Sequence, residues 1–319
     1  MVPQQHPFPF DPTYGYTLED LLAIEQPPEV VDFKPFWTTA YREAMNVKPK
    51  ARVVDTGYTK KGWRLYDLFY TSTGGKKIGG WMVVPTAGPI RRGFVIGHGY
   101  GGRANGDFHY PLEESVILFP CMRGQSRSPN PPISENPQYH VLHDIDKPDR
   151  YVIRGCVEDT WLAFTVLLNL FPNVAGHLGY LGGSFGGGLG ALALPWDDRV
   201  QMAHFRVPTF GHVPLRMQLP NVGSGAAVIE FSRRHPGMAE NTLQYYDAAV
   251  AAKYLNIPVH CACALFDPAV APPGQFAVYN ALAGPKELYV LDAGHFPYDR
   301  EEVQNVEVMA EIEKFFKEL

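Results

Sequence analysis

Two kinds of hydrophobic pattern divide the chain. Between residues 51 and 85, the runs ARVVDTGYT, WRLYDLFYTST and KKIGGWMVVP are rich in β-branched and aromatic residues, with turn signals at Lys61-Gly62 and Gly74-Gly75. They predict an antiparallel edge. From residue 92 onward the pattern changes to short, nearly continuous apolar runs: GFVIG, VILFP, LGYLG, MAHFRV, VHCACALF and ELYVL. Hydrophobicity that does not alternate means strands covered on both faces, as in a parallel sheet sandwiched between helices. Helical spacing appears between these runs, with Trp161, Phe164, Leu168 and Phe171 in one segment and Val306, Met309, Ile312, Phe316 and Leu319 in the last.

The expected architecture is a single α/β domain over residues 1–319, a mostly parallel central sheet flanked by helices. Residues 1–50 carry prolines, aromatics and a helical piece around FWTTAYREAM, and read as an arm wrapping the core. Two connections, 124–155 and 207–256, are too long for simple crossovers. The first contains SPNPPISENP; the second contains MAENTLQYYDAAVAAKYL, which reads as helical. Both leave the C-terminal end of a predicted strand, where open α/β sheets bind ligands, and are candidate lids or oligomer contacts.

The stretch LGYLGGSFGGGLGALA holds seven glycines and one serine. Gly182-Gly183-Ser184-Phe185-Gly186 satisfies G-x-S-x-G, and a strand pattern precedes it while a helix pattern follows. A sharp strand-to-helix turn would hold Ser184 in a strained conformation and crowd out neighbouring Cβ atoms, which accounts for the glycines. Its oxyanion would meet the N-terminus of the next helix, with the Phe185 N–H as one donor. A glycine-rich helix start that only packs closely, or a phosphate-binding turn, is the plainer reading; no lysine follows to complete a P-loop.

A serine hydroxyl needs a base oriented by an acid. In this architecture the order along the chain is Ser, then Asp or Glu, then His. His295 directly follows ELYVLDAG and Asp267 ends VHCACALFD, so each sits at the tip of its predicted strand. Asp292 is the rival acid, but Asp267 projects from the neighbouring strand. The second oxyanion donor is expected in His98-Gly99-Tyr100-Gly101-Gly102, at the Tyr100 N–H, with His98 packing beneath the site.

Charge and cysteine content narrow the function classes. A net charge of −5 without a basic block excludes nucleic acid and anionic membrane as expected partners and favours a small-molecule substrate. The start lacks a basic and an apolar signal region, so secretion through a signal peptide is not expected. Cys121, Cys156, Cys261 and Cys263 are too few and scattered for a disulfide framework and complete no zinc spacing; they read as reduced, buried thiols. No metal or organic cofactor is expected.

Several stretches, in order, resemble the acetyl xylan esterase and cephalosporin C deacetylase group, carbohydrate esterase family seven of the α/β-hydrolases. HGYGGR resembles the family's oxyanion loop, MRGQS its Arg-Gly-Gln motif, and YVIRGCVEDTWLAF the helix before the nucleophile. GGSFGG resembles its nucleophile elbow, FDPAVAPP its aspartate loop, and YNALAGPKELYVLDAGH its last strand and histidine. The resemblance implies an α/β-hydrolase fold and removal of short acyl groups, mainly acetyl, from sugars or related small alcohols. It also implies a cytoplasmic homo-oligomer, typically a hexamer, and aligns Ser184, Asp267 and His295 with the catalytic triad and Tyr100 and Phe185 with the oxyanion hole.

The sequence departs from that family pattern in three places. Phe185 stands where glutamine is usual, Asp267 lies one residue further from Pro272-Pro273, and Phe296 follows His295 where an acid is common. Arg123-Gly124-Gln125 is expected to steady loops, and Tyr151, Arg154, Phe108 and Tyr110 are candidate pocket walls. A prolyl oligopeptidase-like peptidase shares the elbow and triad order but would carry a large accessory domain; a non-catalytic module of the same fold is the third reading.

Overall fold

The computed structural model describes residues 5–319. Nine strands are present among the described residues: β1 (Arg52–Lys60), β2 (Trp63–Thr71), β3 (Lys77–Pro85), β4 (Arg92–Gly97), β5 (Ser115–Pro120), β6 (Leu178–Gly183), β7 (Met202–Arg206), β8 (Val259–Ala264) and β9 (Lys286–Leu291). They form one sheet in the order β1-β2-β3-β5-β4-β6-β7-β8-β9. β1, β2 and β3 pair antiparallel, and β3 joins β5 antiparallel; from β5 to β9 every pairing is parallel. The change in hydrophobic pattern near residue 92 therefore marks the change from antiparallel to parallel pairing. β5 and β8 are buried at every position, whereas β1 is exposed along nearly all its length.

Among the described residues, eleven α-helices cover the sheet and its C-terminal rim. They are α1 (Leu18–Leu22), α2 (Phe33–Met45), α3 (Pro137–His140), α4 (Val152–Leu170), α5 (Phe185–Ala193), α6 (Val213–Arg216), α7 (Ser224–Arg234), α8 (Glu240–Leu243), α9 (Ala248–Ala252), α10 (Pro272–Ala281) and α11 (Glu301–Phe316). The larger core lies between the sheet and α2, α4, α5, α9 and α10; the smaller holds Val308, Ile312 and Phe316 of α11 against Phe94, Ile96 and Leu181. α5 is apolar on every face and buried at every residue, as a central helix must be.

The segment MAENTLQYYDAAVAAKYL differs from its helical expectation. It breaks into α8, which ends with Gln244 as its C-cap, and α9, which Asp247 caps with its side chain accepting from the amides of Ala249 and Val250. An apolar period cannot distinguish one long helix from two short ones joined by such a cap. The N-terminal arm holds α1 and α2, and its first four residues lie outside the described residues. Trp37 of α2 is fully buried, meets Trp161 of α4 edge to face at 6.2 Å, and donates its indole N–H to the Tyr245 carbonyl at 2.8 Å.

Candidate active site

The loops leaving β4, β6, β8 and β9 converge on one rim of the sheet, the place where open α/β folds gather ligands. Ser184 caps α5 at φ 54°, ψ −115°, a conformation that costs of order 1–3 kcal/mol for a residue with a side chain. Two contacts hold it there: its N–H donates to the Arg206 carbonyl at 2.8 Å, and its carbonyl accepts from Gly188 N–H at 3.0 Å. A Cβ at Gly182 would stand 2.5 Å from the Gly186 backbone, and one at Gly186 would stand 2.8 Å from that of Gly97. Gly183 is different: a Cβ there would meet nothing nearer than 3.9 Å, so crowding explains only part of the glycine cluster.

His295 lies in the loop after β9. Its Nδ1 is 2.7 Å from Asp267 Oδ2 and its Nε2 is 2.9 Å from Ser184 Oγ. A carboxylate only accepts, so Nδ1 carries the proton and the Nε2 lone pair faces the serine. Burial draws the imidazole pKa down, but the hydrogen bond and charge of Asp267 outweigh it and hold the pKa above its usual value. Asp267 is fully buried; Oδ1 accepts from the amides of Ala269 and Val270 at 2.9 Å, and Oδ2 also accepts from Gln275 Nε2 at 3.0 Å. A Cβ at Gly294 would fall 2.5 Å from Asp267 Oδ2, so this glycine admits the Asp–His approach. The rival Asp292 instead has Oδ2 3.7 Å from Arg300 Nη1.

The loop carrying Tyr100 borders the serine: a Cβ at Gly99 would lie 3.9 Å from Ser184 Cβ. His98 is buried beneath it, with Nδ1 2.7 Å from the Gly99 carbonyl and Nε2 accepting from Met122 N–H at 2.9 Å. Burial pushes the His98 and His140 pKa values down to about 4, so both rings are neutral ties rather than bases. His140 Nε2 meets the Arg123 carbonyl at 2.9 Å, leaving Nδ1 to accept from the Tyr100 hydroxyl at 3.2 Å. The Phe185 ring is fully buried and stacks on Tyr100 at 4.1 Å. Where the resemblance expects glutamine, this chain therefore locks its two candidate oxyanion residues together with aromatic packing.

Arg123-Gly124-Gln125 acts on these loops from behind. Arg123 is buried and bidentate to Asp159, with Nε–Oδ2 at 3.0 Å and Nη2–Oδ1 at 2.6 Å. Gln125 Oε1 accepts from Gly101 N–H at 3.2 Å. The four candidate pocket walls, by contrast, lie elsewhere. Tyr151 is buried with its hydroxyl on the Val141 carbonyl, and Arg154 pairs with Glu158 and Glu43. Phe108 and Tyr110 pack against the smaller core. They follow the Tyr100 loop in sequence, but the chain carries them away from the cleft.

Ser184 and His295 open into a cleft of about 970 Å³ that Tyr100 also lines. Its walls come from both long connections: Pro137, Tyr139 and Leu142 from the first, Phe210, Arg216, Met217 and Phe231 from the second. Residues of the site that sequence reasoning missed include Gln275, Arg216 and Pro12, whose carbonyl accepts from Asp267 N–H at 3.0 Å. His6 and Phe8 of the arm pack on Phe266 and Phe296, so the arm buttresses the loops carrying Asp267 and His295. Among the described residues no cluster of His, Cys, Asp or Glu could hold a metal ion, and no helix is long and apolar enough to cross a membrane.

The structure is similar to an acetyl xylan esterase from Paenibacillus sp. R4, with a TM-score of 0.80 and 24% identity over 94% of this chain and 99% of that one. A second similar structure is acetyl xylan esterase 1 from Thermoanaerobacterium sp., at TM-score 0.77 and 23% identity over 95% and 99% of the two chains. A prolyl endopeptidase is matched at TM-score 0.62 and 20% identity over 82% of this chain but 39% of that one. At these identities the likeness establishes the α/β-hydrolase fold. The model of the acetyl xylan esterase (AXE1) family matches residues 17–318, and the chain belongs to that family of carboxylic ester hydrolases.

Proposed function

We propose that the protein hydrolyses short acyl esters, acetyl foremost, of sugars or related small alcohols through Ser184, His295 and Asp267. The observation that carries this reading is the continuous hydrogen-bond run from Asp267 through His295 to Ser184 at the foot of the cleft, in a chain of the acetyl xylan esterase family. Ser184 Oγ attacks the ester carbonyl carbon while His295 Nε2 takes its proton and Asp267 steadies the imidazolium. The N–H groups of Tyr100 and Phe185 hold the oxyanion of the tetrahedral intermediate. The C–O bond then breaks, and the alcohol leaves with the proton from Nε2. His295 next deprotonates a water, which attacks the acyl-enzyme and releases the carboxylic acid as Ser184 regains its proton. The cycle asks for no metal or organic cofactor.

The whole chain acts as one hydrolase domain in this reading, with the arm and the connections 124–155 and 207–256 shaping the cleft. It works as a cytoplasmic homo-oligomer, by resemblance a hexamer. Four free, buried cysteines support a reducing compartment, and the exposed edge at β1, with Val54 and Tyr58 on its surface, supports pairing with another copy. The test is a chain-length series of p-nitrophenyl esters run beside Ser184→Ala. Fastest turnover from acetyl to butanoyl, lost in the variant with the fold intact, is expected. A maximum at long chains, or preferential turnover of an aminoacyl amide, would overturn the assignment.

A further inference from the structure

Arg216 ends α6 in the wall of the cleft that Ser184 and His295 line. Among the described residues it forms no ion pair, and its Nε is buried without a hydrogen-bond partner. The residue is half-buried in the cleft wall, so its guanidinium is open to an anion entering the cleft while its buried Nε lacks a partner. Burial lowers the pKa of Arg216, yet an arginine this basic stays charged.

The fold places this charge deliberately. Asp247, a buried carboxylate, is hydrogen-bonded elsewhere: its oxygens accept from the amides of His212 at 2.9 Å, Val213 at 2.5 Å, Ala249 at 2.9 Å and Val250 at 3.4 Å. Its charge acts on Arg216 from a distance, but its oxygens are taken by the start of α6 and α9 and form no ion pair with the guanidinium. Phe210 at φ 68° and His212 at φ 54° adopt left-handed backbone to turn α6 toward the cleft. The Arg216 guanidinium lies over the Phe210 ring at 5.8 Å, and that ring meets Phe185, the neighbour of Ser184, at 6.0 Å. The other cleft-lining arginine, Arg234, is paired with Glu230 at 2.7 Å.

We propose that Arg216 is a specificity-determining residue that binds a carboxylate on the alcohol part of the ester. This inference rests on the hydrolase reading above: since the acyl group is short, a charge that reaches the wall belongs to the alcohol. With Arg234 paired to Glu230, Arg216 is the cleft guanidinium left without an ion pair, and its forked donors suit the two oxygens of one carboxylate.

Three acetyl esters test it, acetoxyacetate, 3-acetoxypropanoate and 4-acetoxybutanoate, each beside its neutral amide analogue. For at least one pair, wild type is expected to favour the carboxylate in kcat/KM by about tenfold or more, chiefly through KM. Arg216→Met should abolish that preference and Arg216→Lys should keep part of it, with folding followed by circular dichroism. Equal carboxylate-to-amide ratios in wild type and Arg216→Met, or an amide preference at every length, would overturn the proposal. Calorimetric binding of 3-hydroxypropanoate and 3-hydroxypropanamide to wild type is a readout that needs neither turnover nor a folded variant. Tighter binding of the carboxylate supports the anion site even if p-nitrophenyl acetate is not hydrolysed, and equal binding counts against it.

Discussion

The elbow at Ser184 and the cleft wall around Phe210 and His212 both store backbone strain, but they are held in different ways. The elbow is held locally: glycines at 182 and 186 let strand, serine and helix touch, and the neighbouring strand's Arg206 carbonyl accepts the serine amide. The wall is held remotely, by a buried Asp247 that lies 35 residues beyond His212 and takes its amide. The proposed nucleophile is thus held by its own turn and the adjoining strands, whereas the wall around Phe210 and His212 depends on a carboxylate far along the chain. Damage to the first should appear in kcat, and damage to the second in KM.

The largest expected effect comes from removing Asp267, the proposed acid of the triad. Asp267→Asn should lower kcat for p-nitrophenyl acetate by about 10³–10⁴-fold, by analogy with other triads. It should also move the pH profile. In the proposed mechanism the neutral imidazole is the active form, so wild-type kcat/KM is expected to fall as pH drops through a pKa held above 6.5 by Asp267. Without that carboxylate, burial and Arg206 act unopposed, and the acid limb shifts to lower pH.

A pair of substitutions separates elbow from wall. Gly186→Ala pushes a methyl against the Gly97 backbone and should lower kcat by about tenfold to a hundredfold while KM changes little. Asp247→Ala strips the amides of His212 and Val213 of their partner and should raise KM more than it lowers kcat. Steady-state kinetics on p-nitrophenyl acetate distinguishes the two; the same kcat/KM pattern in both variants would break the comparison.

The smallest effect concerns the two neutral tie histidines. His98 and His140 fold with pKa values near 4 but unfold to about 6.5, so the unfolded chain binds more protons between those values. Their contribution is fully present above 6.5, is lost as pH falls below it, and levels off near 4. Thermal melts across that window should show a falling midpoint, and His140→Gln should flatten the fall.

Much of this was readable from the chain because the signals are local. Strands covered on both faces must be apolar at consecutive positions, and all six such runs from residue 92 onward became parallel strands. The elbow's glycines, and histidine and aspartate at strand tips, are likewise contiguous signals, and Ser184, His295 and Asp267 lie together. What escaped was non-local. Gln275 faces Asp267 from α10, Pro12 supports it from the arm, and the turn that carries Arg216 is held by bonds to Asp247 far downstream. Phe108 and Tyr110 misled for the same reason, since nearness in sequence to the Tyr100 loop did not bring them to the cleft.

The Ser184 hydroxyl is the proposed nucleophile. The most direct test of that role is to inactivate the protein with a serine-directed organophosphonate and map the modified peptide by mass spectrometry. One adduct on Ser184, with activity lost in proportion to labelling and no label in Ser184→Ala, is the predicted result. An adduct on another serine, or full hydrolytic activity in the unlabelled variant, would contradict it.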